Sequence, residues 1–229
     1  MLSDNSFRML ALLSGSMQYI LPVGVTAWML VSCQAAHAPL SVDYRTVQQD
    51  LQRIHEQDQK IREAIMTVGM QSDEAVPLFK QMRSIDSVNQ VYVRHLLSTS
   101  GWPTRAQVGE QASSTIFLVV QHSSRALIAQ QLPVLRKLVR QGEARKTELA
   151  LMEDRLRMFS CKKQRYGTQT ATWVRPDGAL VVWPIQQPAR VNQYRQQIGF
   201  TTTVEQNALE LGAIYNPKER LPSPKVVMP

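Results

Sequence analysis

From Val47 the chain repeats an apolar residue every three or four positions, through Leu51, Ile54, Ile61, Ile65 and Val68, with Asp58 in the middle of the row. That spacing predicts one face of a helix over about 44–68, closed by Gly69. A second stripe runs Leu78, Met82, Ile85, Asn89, Val93, Leu96. It predicts a helix capped by Ser72, with Asp73 and Glu74 in its first turn, and stopped at Gly101-Trp102-Pro103. Between 108 and 123, Ala112, Ile116, Val119 and Val120 fit a helix, although Ile116–Val120 alone also suits a strand. Residues 125–141 carry Leu127, Ile128, Gln131, Leu135, Leu138 and Val139 on one face, and Pro133 is expected to kink or restart that helix. Another helix is expected over 144–160, with Leu151, Asp154 and Met158 on one stripe.

The pattern then changes. Two β-rich runs, 168–174 and 179–183, flank Arg175-Pro176-Asp177-Gly178, which predicts a hairpin. Pro188 opens a short helix that Gly199 ends, and Thr203 with Gln206 forms a capping box for a last one. From Asn216 Pro and Lys dominate, which suits a loose tail. The expected fold is mainly α: a single helical domain over 44–214 with one β-hairpin at about 168–183, near the C-terminal third, and a flexible tail over 215–229.

Three of the helical stripes hold a polar group at a core position: Asp58, Asn89 and Asp154. A buried charge or amide is costly, by several kcal/mol for an unpaired charge, so such groups are paired or line a cavity. These three, together with His122, are expected to converge inside the fold.

Composition narrows the picture. The chain has 229 residues, 44% of them apolar, enough for one core. Net charge is +8, but the cations are scattered, with adjacent pairs only at Arg136-Lys137, Arg145-Lys146 and Lys162-Lys163. This reads as a solvated basic surface, with no nucleic-acid partner. Two cysteines, Cys33 and Cys161, form no metal-binding motif, and neither a metal nor another cofactor is expected. Cys161 is expected to be buried or unreactive.

Residues 9–32 are mostly apolar, behind Arg8, and end Leu30-Val31-Ser32-Cys33. This ending resembles the lipobox of bacterial lipoprotein signal peptides. The resemblance implies removal of residues 1–32, acylation of Cys33, a tether over 33–43 and a membrane-anchored place in the bacterial cell envelope. Two alternatives remain open: cleavage after Ala36-His37-Ala38, and a retained transmembrane helix, for which 9–32 is long enough.

Each candidate residue has a structural and a functional reading. Asp58 with Gln59 and Arg62 is a helix ion pair fixing register, or a carboxylate tuned by burial and facing a pocket. Asp86 and Asn89 bridge neighbouring helices, or bind a polar ligand. His122, beside Gln121, is a satisfied interface residue or an acid–base group. Successive helical residues point about 100° apart, so Gln121 and His122 cannot face one pocket squarely. Asp154 anchors the following loop, or orients Arg155 as an anion clamp. Gln164, Tyr166 and Gln169, around Gly167, tie the hairpin to the helices or form a binding loop. Trp102 reads as a packed helix stop. No spacing supports a metal held by Asp58, His122 and Asp154.

In order along the chain, these elements are Asp58-Gln59 with Arg62, Asp86 with Asn89, Gly101-Trp102-Pro103, Gln121-His122, Gln131, Asp154-Arg155, Gln164, Tyr166-Gly167-Thr168-Gln169, and Trp183-Pro184-Ile185 through Arg195 and Gly199. The order resembles an uncharacterised bacterial family, domain of unknown function 6624, from about residue 50 to 207. The resemblance implies no particular activity. Where members often have a small acidic residue after Gln-His, this chain has Ser123 and Ser124.

Two functions fit these residues. One is a lipid-anchored binding or interaction module whose polar pocket takes an amide, sugar or carboxylate ligand or an envelope protein. The other is an envelope hydrolase or transferase with Asp58 or His122 as general base and Arg155 steadying negative charge.

Overall fold

The computed structural model describes residues 42–70 and 72–222. The expected signal segment, Cys33 and the end of the tail lie outside the described residues. The described residues are mainly helical, with one small antiparallel sheet among them.

Helix α1 spans Tyr44–Val68, and Asp43 caps it by accepting from the Arg45 amide at 3.1 Å. Its buried face is Val47, Leu51, Ile54, Asp58, Ile61 and Ile65. The stripe ends there, since Val68 is exposed. Helix α2 spans Ala75–Ser100. The Ser72 hydroxyl does accept the Ala75 amide, at 3.2 Å. It therefore closes a turn ahead of the helix, and Asp73 and Glu74 precede the first helical turn.

Gly109 separates the helix expected from about 108 from a single helical turn ahead of it that the periodicity does not predict. Its φ of +83° is left-handed, so a single turn, α3 (Arg105–Val108), is followed by α4 (Glu110–Gln121). Helix α4 is the centre of the domain and packs on α1, α2 and α3, and on the two helices that follow. Ile116, Phe117, Val119 and Val120 are all buried, which a helix achieves when neighbours surround it. The strand-like run is thus a buried helix.

Helix α5 (Arg125–Arg140) runs through Pro133 without a break. A mid-helix proline costs about 3 kcal/mol. Leu127, Ile128, Leu132, Leu135 and Leu138 are buried on the opposite face, and each contributes roughly 1.5–3 kcal/mol. Burial outweighs the break, and the ring sits on the exposed side. Helix α6 spans Lys146–Phe159. Cys161, just after it, is exposed and left-handed at φ +50°, so of the two expectations, buried or unreactive, the first does not hold.

The hairpin is shorter than its sequence pattern. Only Thr170–Ala171 (β1) and Val181–Val182 (β2) pair, in the register Thr170↔Val182 and Ala171↔Val181. Beyond them Trp173 leaves the ladder and packs against Trp183, with ring centroids 4.9 Å apart. Single bridges at Gln164–Ile185 and Val181–Ile214 take over the pairing. A turn of 3-10 helix at Pro188–Arg190 leads into α7 (Val191–Ile198), and α8 (Val204–Glu210) follows its Thr203 cap. Val182, Ile185, Val191, Val204 and Ala208 form a small second core. Glu219, in the expected loose tail, accepts from the Arg175 guanidinium at 2.6 Å. Among the described residues no helix is long and apolar enough to cross a membrane.

Candidate functional site

Asp58 lies on the buried face of α1 at 2% exposure. Arg62, one turn on, grips it with both arms of its guanidinium: Nε to Oδ2 at 3.0 Å and Nη2 to Oδ1 at 2.9 Å. Gln59 donates to Oδ2 as well, at 2.6 Å. The same Nη2 donates to Asp86 Oδ1 on α2 at 2.7 Å, and Nη1 lies 3.2 Å from Met82 Sδ. One arginine therefore bridges two carboxylates from two helices. Burial holds the Asp86 carboxyl above its ordinary range against the pull of Arg62, and the Asp58 charge adds to the rise.

His122 ends α4, and its backbone N–H donates to Leu118 at 3.1 Å. Its carbonyl accepts from Gln90 of α2 at 3.3 Å. Its ring is pushed down to about pKa 3, first by burial and then by the charges of Arg62 and Arg155, with Asp58 opposing. It is a neutral imidazole at any physiological pH. Its Nδ1 is buried and has no hydrogen-bond partner, and the same is true of Arg155 Nε on α6. Burial and the Arg62 charge lower Arg155 to about 10, so it stays a cation near neutrality. Asp58, Arg62, Asp86, His122 and Arg155 thus make one electrostatic cluster, built from α1, α2, α4 and α6.

Gln121 turns elsewhere, donating to the Leu151 carbonyl at 3.4 Å with its own Oε1 unpartnered. Asn89, one turn beyond Asp86, is buried with Nδ2 unpartnered and contributes to a groove of about 230 Å3 beside Asp50, Ile54 and Tyr92.

Residues 45–216 match the model of the Family of unknown function (DUF6624). The chain belongs to that family. Neither curated proteins nor solved structures give a significant match. The DUF6624 match runs from the start of α1 to beyond α8, so it includes the cluster above and the loop described next.

Asp154 does not join that cluster. Its Oδ1 accepts the Arg165 amide at 2.7 Å, and its Oδ2 accepts the amides of Tyr166 (3.0 Å) and Thr168 (3.3 Å) and the Thr168 hydroxyl (3.1 Å). Four donors from one loop converge on it. Burial still pushes the carboxyl up to about 6 against those four bonds. The expected convergence of Asp154 with Asp58, Asn89 and His122 fails for a geometric reason. Asp154 and Arg155 are consecutive on α6 and point about 100° apart, so they serve different neighbours.

The loop is tied down further at Gln164, Tyr166 and Gln169. Gln164 accepts from the Gln169 amide at 2.9 Å and donates to the carbonyls of Gln169 (3.0 Å) and Trp183 (2.6 Å). Gln169 Nε2 donates to Leu151 at 3.4 Å. Tyr166 is buried, and its carbonyl accepts from Arg195 Nη1 at 2.9 Å. Gly167 has φ +67°, and a Cβ there would sit 2.5 Å from Val204 Cγ2, so only glycine fits.

Arg195 stands in the order of motifs but is not one of the candidate site residues. It is 1% exposed and donates to the Thr202 carbonyl at 2.8 Å and hydroxyl at 2.9 Å as well as to Tyr166. The signal was present: Val191, Arg195 and Ile198 share one helical face, which places a charge in an apolar seam just as at Asp58.

Chemically, the two places differ. Around Asp154 the polar groups satisfy one another. Around His122 and Arg155 they do not. Among the described residues no three His, Cys, Asp or Glu side chains come together to hold a metal ion.

Proposed function

We propose that this protein is a binding module whose site is the His122–Arg155 side of the α1–α2–α4–α6 cluster, and that its ligand presents a carboxylate or similar hydrogen-bond acceptor. One observation carries the reading: Arg155 Nε and His122 Nδ1, two of the six unpartnered buried side-chain atoms among the described residues, fall together, since the Arg155 charge acts on the His122 ring. Arg62 is already matched by Asp58 and Asp86, and no carboxylate pairs with Arg155 among the described residues. A guanidinium in that setting favours an anionic partner. The ending Leu30-Val31-Ser32-Cys33 supports holding this module on a bacterial envelope membrane through lipid on Cys33.

The alternative, a hydrolase or transferase, is weaker on these observations. A general base works best with a pKa near the operating pH, and His122 sits near 3. Asp58 has both oxygens engaged by Arg62 and Gln59.

The test is a thermal-shift screen of the full-length chain in mild detergent, with carboxylate-bearing cell-wall fragments, sugars and nucleotides. A ligand at about 100 times its Kd raises stability by about 2.7 kcal/mol, or roughly 5–11 °C for a domain of this size. Arg155→Gln should abolish the shift. Flat curves across the screen, or a shift untouched by Arg155→Gln, refute the proposal. Separately, Cys33→Ser should release the protein from the membrane fraction; retention there would refute the lipid anchor.

A further inference from the structure

A second site lies on the other side of α6. Between α5, α6 and the loop after it is a cleft of about 390 Å3, with Leu156 in its lining. Four cations line it, Arg136, Arg157, Lys162 and Arg165, against a single carboxylate, Glu153. Arg136 is matched to Glu153 at 2.9 Å, which leaves three cationic side chains without a carboxylate in the cleft.

Two of the three are held in place by neutral groups. Arg157 donates from Nε to the Lys163 carbonyl at 2.7 Å and from Nη2 to Gln186 Oε1 at 3.1 Å. Those bonds orient the guanidinium without cancelling its charge. Arg165 lies with its guanidinium carbon 4.8 Å from the Tyr194 ring centroid and 5.3 Å from that of Tyr166. Stacking uses the face of the guanidinium and leaves its in-plane N–H donors for another partner. The loop that carries Arg165 is itself pinned, because the Arg165 amide donates to buried Asp154. A basic surface that merely keeps a protein soluble needs none of this fixing.

We infer that this cleft binds a phosphate-ester dianion, through Arg157, Lys162 and Arg165. A carboxylate brings one charge, whereas a phosphomonoester carries about −1.5 to −2 near neutrality with three strong acceptor oxygens. Three fixed or mobile cations in one concavity match the second. The phosphate belongs either to a soluble ester or to a lipid headgroup. The inference is independent of the His122–Arg155 site, which lies on another face of α6.

The experiment measures binding of two probes to the full-length chain in nonionic detergent at low salt: phenyl phosphate, and phosphatidate carried in the same micelles. Lys162 and Arg165 are exposed, so Lys162→Gln/Arg165→Gln removes charge without opening the core. We expect the double variant to weaken binding by about tenfold and Lys162→Gln alone by about threefold, in line with one partly exposed ion pair each. Phenyl sulfate, a monoanion, should bind more weakly than phenyl phosphate. Binding of phenyl phosphate assigns the site to soluble esters, and binding of phosphatidate alone assigns it to a headgroup; both support the inference. Failure of both probes to bind at millimolar concentration overturns it, as does affinity unchanged in the double variant and in Lys162→Gln.

Discussion

Replacing Asp154 with Ala removes the acceptor on which the 165–168 loop is hung. Three backbone N–H groups, of Arg165, Tyr166 and Thr168, lose their partner. An orphaned buried donor costs about 1–3 kcal/mol, so the three together cost roughly 6 kcal/mol at the centre of that range. The loss is offset because a charged carboxylate is no longer buried. The gap between its pKa of about 6 and the ordinary 3.8 corresponds to about 3 kcal/mol. At pH 7 the variant should therefore be less stable by roughly 3 kcal/mol, or about 6–12 °C in Tm. The pH dependence gives a sharper test. The folded pKa is raised, so the native state takes up this proton first, and wild type gains stability as pH falls from about 6 toward 3.8. The Ala variant has nothing to protonate there. The stability gap between the two should widen on acidification, toward roughly 6 kcal/mol near pH 4. Urea unfolding of both proteins at pH 7, 5.5 and 4, followed by tryptophan fluorescence through buried Trp183, measures it. A gap that narrows as pH falls would refute the dominance of burial over the four hydrogen bonds. A gap under about 1 kcal/mol at every pH would mean that the loop does not hang on Asp154.

Three further outcomes follow from the same geometry. His122 has its pKa lowered from 6.5 to about 3, so wild type should lose about 3 kcal/mol of stability between pH 6.5 and 4 from this group, and His122→Gln should not, as paired denaturation curves will register. Arg62→Gln strands Asp58 at 2% exposure and should cost about 3–5 kcal/mol, while adding Asp58→Asn should recover part of it; strictly additive losses in that double-mutant cycle would contradict the pair. Gly167→Ala forces a left-handed alanine against Val204 and should destabilise by about 2–4 kcal/mol in urea unfolding, whereas a neutral result would show that the loop relaxes around it.

The helices were legible because their evidence is local. The α1 row from Val47 to Ile65 is one face repeated, and nothing distant is needed to read it. The turn α3 was not legible, because four residues are too few to show a period; it ends at Gly109, whose φ is +83°. The hairpin was overextended because Trp173 has strong strand preference, yet its best contact is the Trp183 ring. The link from Arg62 to Asp86 spans 24 residues and two helices, and no sequence spacing encodes it. The buried polar positions were legible as anomalies, since a carboxylate in an apolar row has to be accommodated somehow. What accommodates it is a tertiary fact.

That distinction decides which anomaly is worth pursuing as a site. Asp58, Asp154, Gln164 and Arg195 look alike in sequence to His122 and Arg155: polar groups where the chain folds inward. In the fold the first four have neighbours that take up their hydrogen-bonding capacity, so a ligand would have to break bonds to reach them. His122 Nδ1 and Arg155 Nε have none, so a ligand there replaces an unfavourable state with a hydrogen-bonded one. Sequence gives burial but not satisfaction. On α6 the two outcomes sit on consecutive residues, Asp154 bound to its loop and Arg155 unmatched, which is why adjacency in a motif is poor evidence of a shared role and why substitutions at the two positions should have separable effects: loss of stability at Asp154, loss of binding at Arg155.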